Sequence, residues 1–208
     1  MSAVTDERQG SVAEGPDFDG SNRERGDDIH AETARRGRMI RVATTVVAVV
    51  ALDQITKSIA VARLQRGEVV EVIGTWLRFD LTTNSGGSFS LFQGSTMLLA
   101  IGAIVATFYL VHLVRTTDDR PTVAALTLLL CGALGNLGDR IFRAPGPLRG
   151  EVVDFIRIPR WPTFNVADMA VTFGGVLLAA TVVFSGWRRR GDDAAPDPKP
   201  EREGRDGE

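Results

Sequence analysis

Reactive side chains are scarce in this sequence. One cysteine, Cys131, and two histidines, His30 and His112, are all it has. A single cysteine excludes an internal disulfide framework and any cysteine-rich metal centre. Cys131 lies within the apolar run TLLLCGAL, where it reads as a small buried hydrophobe. The formal net charge of −2 denies the chain the basic excess that nucleic-acid binding needs, so no nucleic-acid partner is expected. Large apolar side chains are nearly missing from residues 1–38 and 191–208. Neither end can bury enough surface to offset the entropy of ordering, and both are expected to be disordered tails.

A mean hydropathy of +0.02 therefore conceals a middle, residues 39–190, that is far more apolar. Four runs stand out there: 42–62, 95–114, 121–141 and 166–187. Each is long enough to cross a hydrocarbon core about 30 Å thick as a helix. The first lies too far from the N-terminus, and carries too polar a segment in DQITK, to be a cleavable signal peptide. The connection VVEVIGTWLRFDLTTN partly alternates apolar and polar side chains, predicting short strands. Trp76, Phe79, Phe89 and Phe92 are candidate interfacial anchors for it.

Arginines orient the set. Arg35, Arg36, Arg38 and Arg41 precede the first run, Arg115 and Arg120 flank the turn between the second and third, and Arg188, Arg189 and Arg190 follow the fourth. The positive-inside tendency makes these places cytoplasmic, with both termini inside and the two long connections outside. The outer connection 142–165 also carries arginines, so the even number of spans with two basic ends is the stronger argument.

With that topology, polar residues gather at one depth. Asp53 and Lys57 lie in the outer half of the first run. Asn136, Asp139 and Arg140 end the third, Asn165 and Asp168 begin the fourth, and Asn84 and Asp154 lie in the outer connections. An Asp near a helix centre costs roughly 2.5–3.5 kcal/mol to insert, so the group is expected to face the bundle interior. Asn136 and Asp139 share a helix face, as do Asn165 and Asp168, while Asp53, Thr56 and Lys57 form one stripe. Structural roles compete for each: an Asp139–Arg140 ion pair, an Asp53–Lys57 pair, and Asn165 as a simple cap with Asp168 at the positive helix end. The whole collection is harder to explain as structure.

Neither histidine reaches this outer cluster, which removes Ser-His-Asp and Cys-His chemistry. Two carboxylates remain. Close together they cannot both ionise, so one keeps a proton and the other activates water. By this reasoning Asp168 has either Asp154 or Asp139 as its partner. Asp154 is weakly favoured, because Arg140 adjoins Asp139 and no cation adjoins Asp154. A proton-coupled carrier, a metal-dependent lipid-phosphate enzyme and a passive scaffold are the competing classes. The bare inner halves of the spans count against the carrier, and the many buried acids count against the scaffold.

Five motifs add to this. They are Asp53-Gln-x-Thr-Lys57, Asn84-x-Gly86-x-x-Phe89-Ser90, Gly132-x-x-Gly135-Asn136-x-x-Asp139-Arg140, Val152-Val153-Asp154-Phe155 and Phe164-Asn165-x-Ala167-Asp168. In this order and in these places the set resembles lipoprotein signal peptidase, also called signal peptidase II. The resemblance implies an all-α membrane protein, a four-transmembrane-helix bundle with a small extracytoplasmic β-cradle. It implies an aspartic endopeptidase of the bacterial cytoplasmic membrane that cuts diacylglyceryl prolipoproteins before the lipidated cysteine. The family's dyad falls on Asp154 and Asp168, with Asp53, Lys57, Asn84, Gly86, Asn136, Asp139, Arg140, Asn165 and Ala167 in supporting or substrate-binding positions. No metal or cofactor is expected. The implied partners are the prolipoproteins and membrane lipid, the expected state is a monomer, and globomycin is the implied inhibitor. Three features depart from the pattern: Cys131 where a glycine is common, Gly87-Ser88 before Phe89, and a long stretch between Arg140 and Asp154.

Overall fold

The structure, a computed structural model, describes residues 18–86 and 96–193. Its elements, in chain order, are α1 (Phe18–Arg63), β1 (Val69–Ile73), β2 (Leu77–Asn84), α2 (Thr96–Thr116), α3 (Arg120–Phe142), β3 (Val152–Arg157) and α4 (Val166–Asp193). All four helices contain a stretch long and apolar enough to span a membrane. Half of the apolar window of α3 is buried, against 17% or less in the other three. The protein is therefore a four-helix membrane bundle in which α3 is the internal helix, packed against α2 and α4. Side chains such as Val47, Ile55, Phe108, Phe173 and Val176 are exposed, and lipid is the solvent they suit.

The chain divides into two units, 1–40 and 41–208. The first was expected to be disordered to residue 38, yet it is helical from Phe18 onward. Continuing a helix out of an apolar span avoids the cost of nucleation, and Glu32 is spaced three and four residues from Arg35 and Arg36. At the other end α4 runs to Asp193, three residues into the expected tail. The remainder of both tails lies outside the described residues, as do Phe89 and Phe92.

Local chemistry sets the helix ends. Asp119 caps α3 by accepting the Thr122 N–H at 2.9 Å, with Pro121 in the first turn, where no N–H is missed. Small residues let α4 approach α3. A Cβ on Gly132 would lie 2.5 Å from the Ala167 carbonyl oxygen, and one on Gly135 would lie 2.9 Å from the Ala167 Cβ. Without a hydrophobic drive between helices in lipid, such close backbone contact is what holds them.

The strands form one antiparallel sheet in the order β1-β2-β3. The first two were legible in the alternation of the outer connection; β3 was not. Ala60 of α1, Leu81, Val153 and Phe155 form a buried cluster joined by Leu64, Phe79 and Ile156, which fixes the sheet to the end of α1. Phe79 thus packs inward, its ring 6.0 Å from that of Phe155, rather than anchoring in the interface; Trp76 is exposed. The long stretch after Arg140 folds back on the helix end. The Gly150 N–H donates to the Arg140 carbonyl at 3.1 Å, an approach so close that a Cβ there would lie 2.3 Å from the Asp139 carbonyl oxygen. That return delivers β3 to the end of α3.

Candidate active site

Lys57 organises the first half of the site. It is fully buried, and its ammonium has three acceptors for its three donors: Asp53 Oδ2 at 2.8 Å, Asp139 Oδ2 at 2.8 Å and Asn136 Oδ1 at 3.0 Å. Asp53 and Asp139 are fully buried too. Asp139 also accepts from Arg143 Nε at 2.6 Å and from the Val153 N–H at 3.2 Å. Burying two carboxylates is tolerable only because cations and donors surround them. The expected Asp139–Arg140 pair is not what forms. Neighbours on a helix point in different directions, and it is Arg143, four residues on, that reaches Asp139; Arg140 Nη1 instead donates to the Asn136 carbonyl at 3.2 Å.

The start of α4 supplies the second half. Asn165 caps the helix: its Oδ1 accepts the Asp168 N–H at 2.9 Å, and Asp168 Oδ2 accepts the Asn165 N–H at 3.2 Å. This reciprocal box satisfies two backbone donors that a helix start leaves open. The Ala167 N–H is taken by Asp53 Oδ1 at 2.9 Å, so α1 helps to cap α4 and a carboxylate sits at the positive end of the dipole. Capping was the plain structural reading of Asn165, and it holds. The same side chain does more. Its Nδ2 donates to Asp154 Oδ1 at 2.6 Å, and Asn136 Nδ2 donates to Asp168 Oδ1 at 2.8 Å.

Asp154 reaches this point because β3 is tied to the segment before α4. The Phe155 and Ile156 N–H groups both donate to the Phe164 carbonyl, and the Phe164 N–H donates back to Ile156. Asp154 is buried. Burial, then the charge of Asp168, pushes its carboxyl from an ordinary 3.8 up to about 7, against the pull of hydrogen bonds from Asn165 and Asn84. Asn84 Oδ1 accepts the Gly86 N–H at 2.8 Å. Gly86 has φ +102, and a side chain there would run into Leu99, which is the reason for glycine.

The structure thus brings Asp53, Lys57, Asn136, Asp139, Asn165, Ala167, Asp154 and Asp168 into one bonded network, with Asn84 at its edge and Arg140 beside it. Three participants were not singled out from sequence. Gln54 Nε2 donates to the Gly135 carbonyl at 3.0 Å and to Asp139 Oδ1 at 3.3 Å. Arg143 was findable from its four-residue spacing, whereas the role of Gly150 depends on a loop path that no local pattern states. Among the described residues, no group of three or more His, Cys, Asp or Glu side chains is arranged to hold a metal ion.

Paired acids held by amides at one end of a four-helix apolar bundle give the organisation of a membrane-embedded aspartic hydrolase. Comparison with known proteins narrows that class. Residues 45–184 match the family model for signal peptidase (SPase) II, and the chain belongs to that family. It is similar to the lipoprotein signal peptidase of Mycolicibacterium smegmatis, 42% identical over 170 residues that cover 78% of this chain and 72% of that protein. The Mycobacterium tuberculosis lipoprotein signal peptidase is 42% identical over 153 residues, covering 72% of this chain and 73% of that one. A bacterial membrane enzyme solved by the in meso method at 2.3 Å has the same fold, with a TM-score of 0.63 and 30% identity over 70% of this chain and 89% of that chain.

Proposed function

We propose that this protein is a membrane aspartic endopeptidase that removes signal peptides from diacylglyceryl prolipoproteins, with Asp154 and Asp168 as its catalytic pair. The observation that carries the reading is Asn165, which hydrogen-bonds the Asp154 carboxylate with its side chain and caps α4 together with Asp168. One residue thereby fixes the relation between an acid on β3 and an acid in the first turn of α4.

In this reading the proton retained by the pair sits on Asp154. Asp168, each of whose oxygens accepts a hydrogen bond, takes a proton from a water as that water attacks the scissile carbonyl. Asp154 donates its proton to the carbonyl oxygen; as the tetrahedral intermediate collapses it takes that proton back, while Asp168 passes the water-derived proton to the departing amine. Asp139 takes no part, since Lys57 and Arg143 neutralise it. The basic residues of α1 ahead of its apolar stretch, those flanking the turn between α2 and α3 and those at the end of α4 support cytoplasmic termini and a site at the extracytoplasmic face. There a signal peptide, itself an apolar helix, and a diacylglyceryl cysteine can both remain in lipid while the bond between them meets the acids. The protein is expected to work as a monomer without a metal and to be inhibited by globomycin.

The test is incubation of the purified protein with a diacylated prolipoprotein, with and without globomycin. Asp154→Asn and Asp168→Asn should each lower cleavage by roughly 10²–10⁴-fold without disturbing membrane insertion, and EDTA should change nothing. Full activity in either variant would overturn the assignment, and loss of activity with EDTA would favour a metal enzyme.

A further inference from the structure

A cavity of about 180 Å³ opens beside Asp154, bounded by residues 82–85, Asp154, Pro162 and Thr163. At about 30 Å³ per water it holds a few solvent molecules, or one small amino-acid residue. We propose that this cavity is the subsite for the first residue of the mature protein, the one that follows the lipidated cysteine. In it, Thr82, Ser85 and Thr163 select a small, uncharged polar side chain. The proposal rests on the peptidase reading above and specifies where one part of its substrate is recognised.

The geometry points this way for three reasons. The cavity adjoins Asp154 itself, and Thr82 is paired directly with Asp154 across β2 and β3, so their side chains leave the sheet on the same face. Whatever fills the cavity therefore lies within a residue or two of the bond being cut. Its walls come from the sheet and from the turn before α4, not from the apolar helix faces, so it belongs to the end of the bundle rather than to the span.

Chemistry then separates the three parts of the substrate. A signal peptide is apolar and helical, and the diacylglyceryl group is apolar; neither gains from walls that are mostly polar, and both would strip water from hydroxyls without replacing its hydrogen bonds. The chain after the cysteine is the part that leaves the membrane and brings polar groups. Thr82, Ser85 and Thr163 offer it hydroxyl donors and acceptors, while a bulky apolar side chain would give these hydroxyls nothing to bond. A site built this way discriminates against a group that cannot form its hydrogen bonds.

Purified full-length protein would be given a series of diacylated peptides that differ only in the residue after the lipidated cysteine: Ser, Asn, Leu and Phe. The expected result is a kcat/KM for Ser and Asn above that for Leu by roughly tenfold, about the worth of one net hydrogen bond, and lower still for Phe. Thr82→Val and Thr163→Val, which keep shape and remove a hydroxyl, should bring the Ser-to-Leu ratio of kcat/KM towards one. A wild-type series with no dependence on this residue would overturn the proposal even if neither variant folds. So would variants that lower all four peptides equally, or that change preference at the residue before the cysteine instead. If wild-type protein cleaves no lipidated peptide, the peptidase reading fails and the subsite falls with it; cleavage without discrimination sinks the subsite alone.

Discussion

The Lys57 ammonium lies 2.8 Å from Asp139 Oδ2, and neither side chain has measurable contact with solvent. This pair joins α1 to α3 at the level where Asp53, also bonded to Lys57, reaches across to the first turn of α4. Three helices are therefore held in register by one cation and two carboxylates, and the acids assigned to chemistry are built on that base.

Replacing the cation tests this. Lys57→Met leaves Asp53 and Asp139 buried with one fewer positive charge, and breaking a buried pair in this way costs about 3–5 kcal/mol. The expected outcome is a marked fall in the thermal unfolding temperature in detergent, together with lost cleavage. Adding Asp139→Asn to Lys57→Met should recover part of the stability, because one uncompensated charge is gone. No recovery in the double variant would show that Lys57 acts on something other than these carboxylates.

Capping and catalysis can be separated at Asn165. Serine caps a helix about as well as asparagine but has no Nδ2 to reach Asp154 Oδ1. Asn165→Ser keeps the cap but withdraws a buried donor from the Val153 carbonyl and Asn136 Oδ1, so it should lower the unfolding temperature and lower kcat by up to roughly 10²-fold, the scale of a misplacement near 1 Å. An Asn165→Ser protein with wild-type turnover would mean that the hydrogen bond to Asp154 is dispensable.

Asp154 sets the expected pH dependence. With its carboxyl pushed up to about 7 by burial and by Asp168, the proton needed by the general acid is lost as pH rises through that value. The profile of kcat/KM should fall on its alkaline side near pH 7, as a property of the coupled pair. Stability carries the same sign. Between 3.8 and about 7 the folded state holds a proton that the unfolded state releases, so this group makes folding less favourable as pH rises through the window. Asp154→Asn should remove that component from a pH series of unfolding temperatures.

Close packing of α3 on α4 predicts intolerance of a single methyl. In Gly135→Ala the new Cβ meets Ala167 Cβ and Asp53 Oδ2, both at 2.9 Å. Overpacking of this kind costs about 1–3 kcal/mol, and here it would also press on the acid that caps α4. The expected outcome is a lower unfolding temperature and reduced cleavage. Gly175→Ala, on α4 with nothing within 4 Å of its Cβ, is the control and should change neither.

Parts of this arrangement were legible before any fold was known, and the reasons differ. Membrane spans announce themselves because crossing about 30 Å of hydrocarbon requires a long apolar run. The first two strands showed through the alternation of side chains, but β3 is buried along most of its length and its VVDF core offers little alternation to read. The partner of Asp139 was misread because adjacency in sequence was taken for adjacency in space, whereas helix geometry favours the fourth residue. Asn165 was read as a cap and as a candidate site residue separately. Its double role depends on β3 arriving beside it.

Sequence alone determined how many times this chain crosses a membrane and which polar residues would be too costly to leave in lipid. It also limited the chemistry to carboxylates, because the other usual catalysts are missing or misplaced. Only the tertiary structure gives those acids their different surroundings. Lys57 and Arg143 surround Asp139, while Asp154 is buried and hydrogen-bonded by the amides of Asn165 and Asn84. A carboxyl's chemistry follows from the charges and donors that surround it, and here these come from residues up to 114 positions apart in the chain.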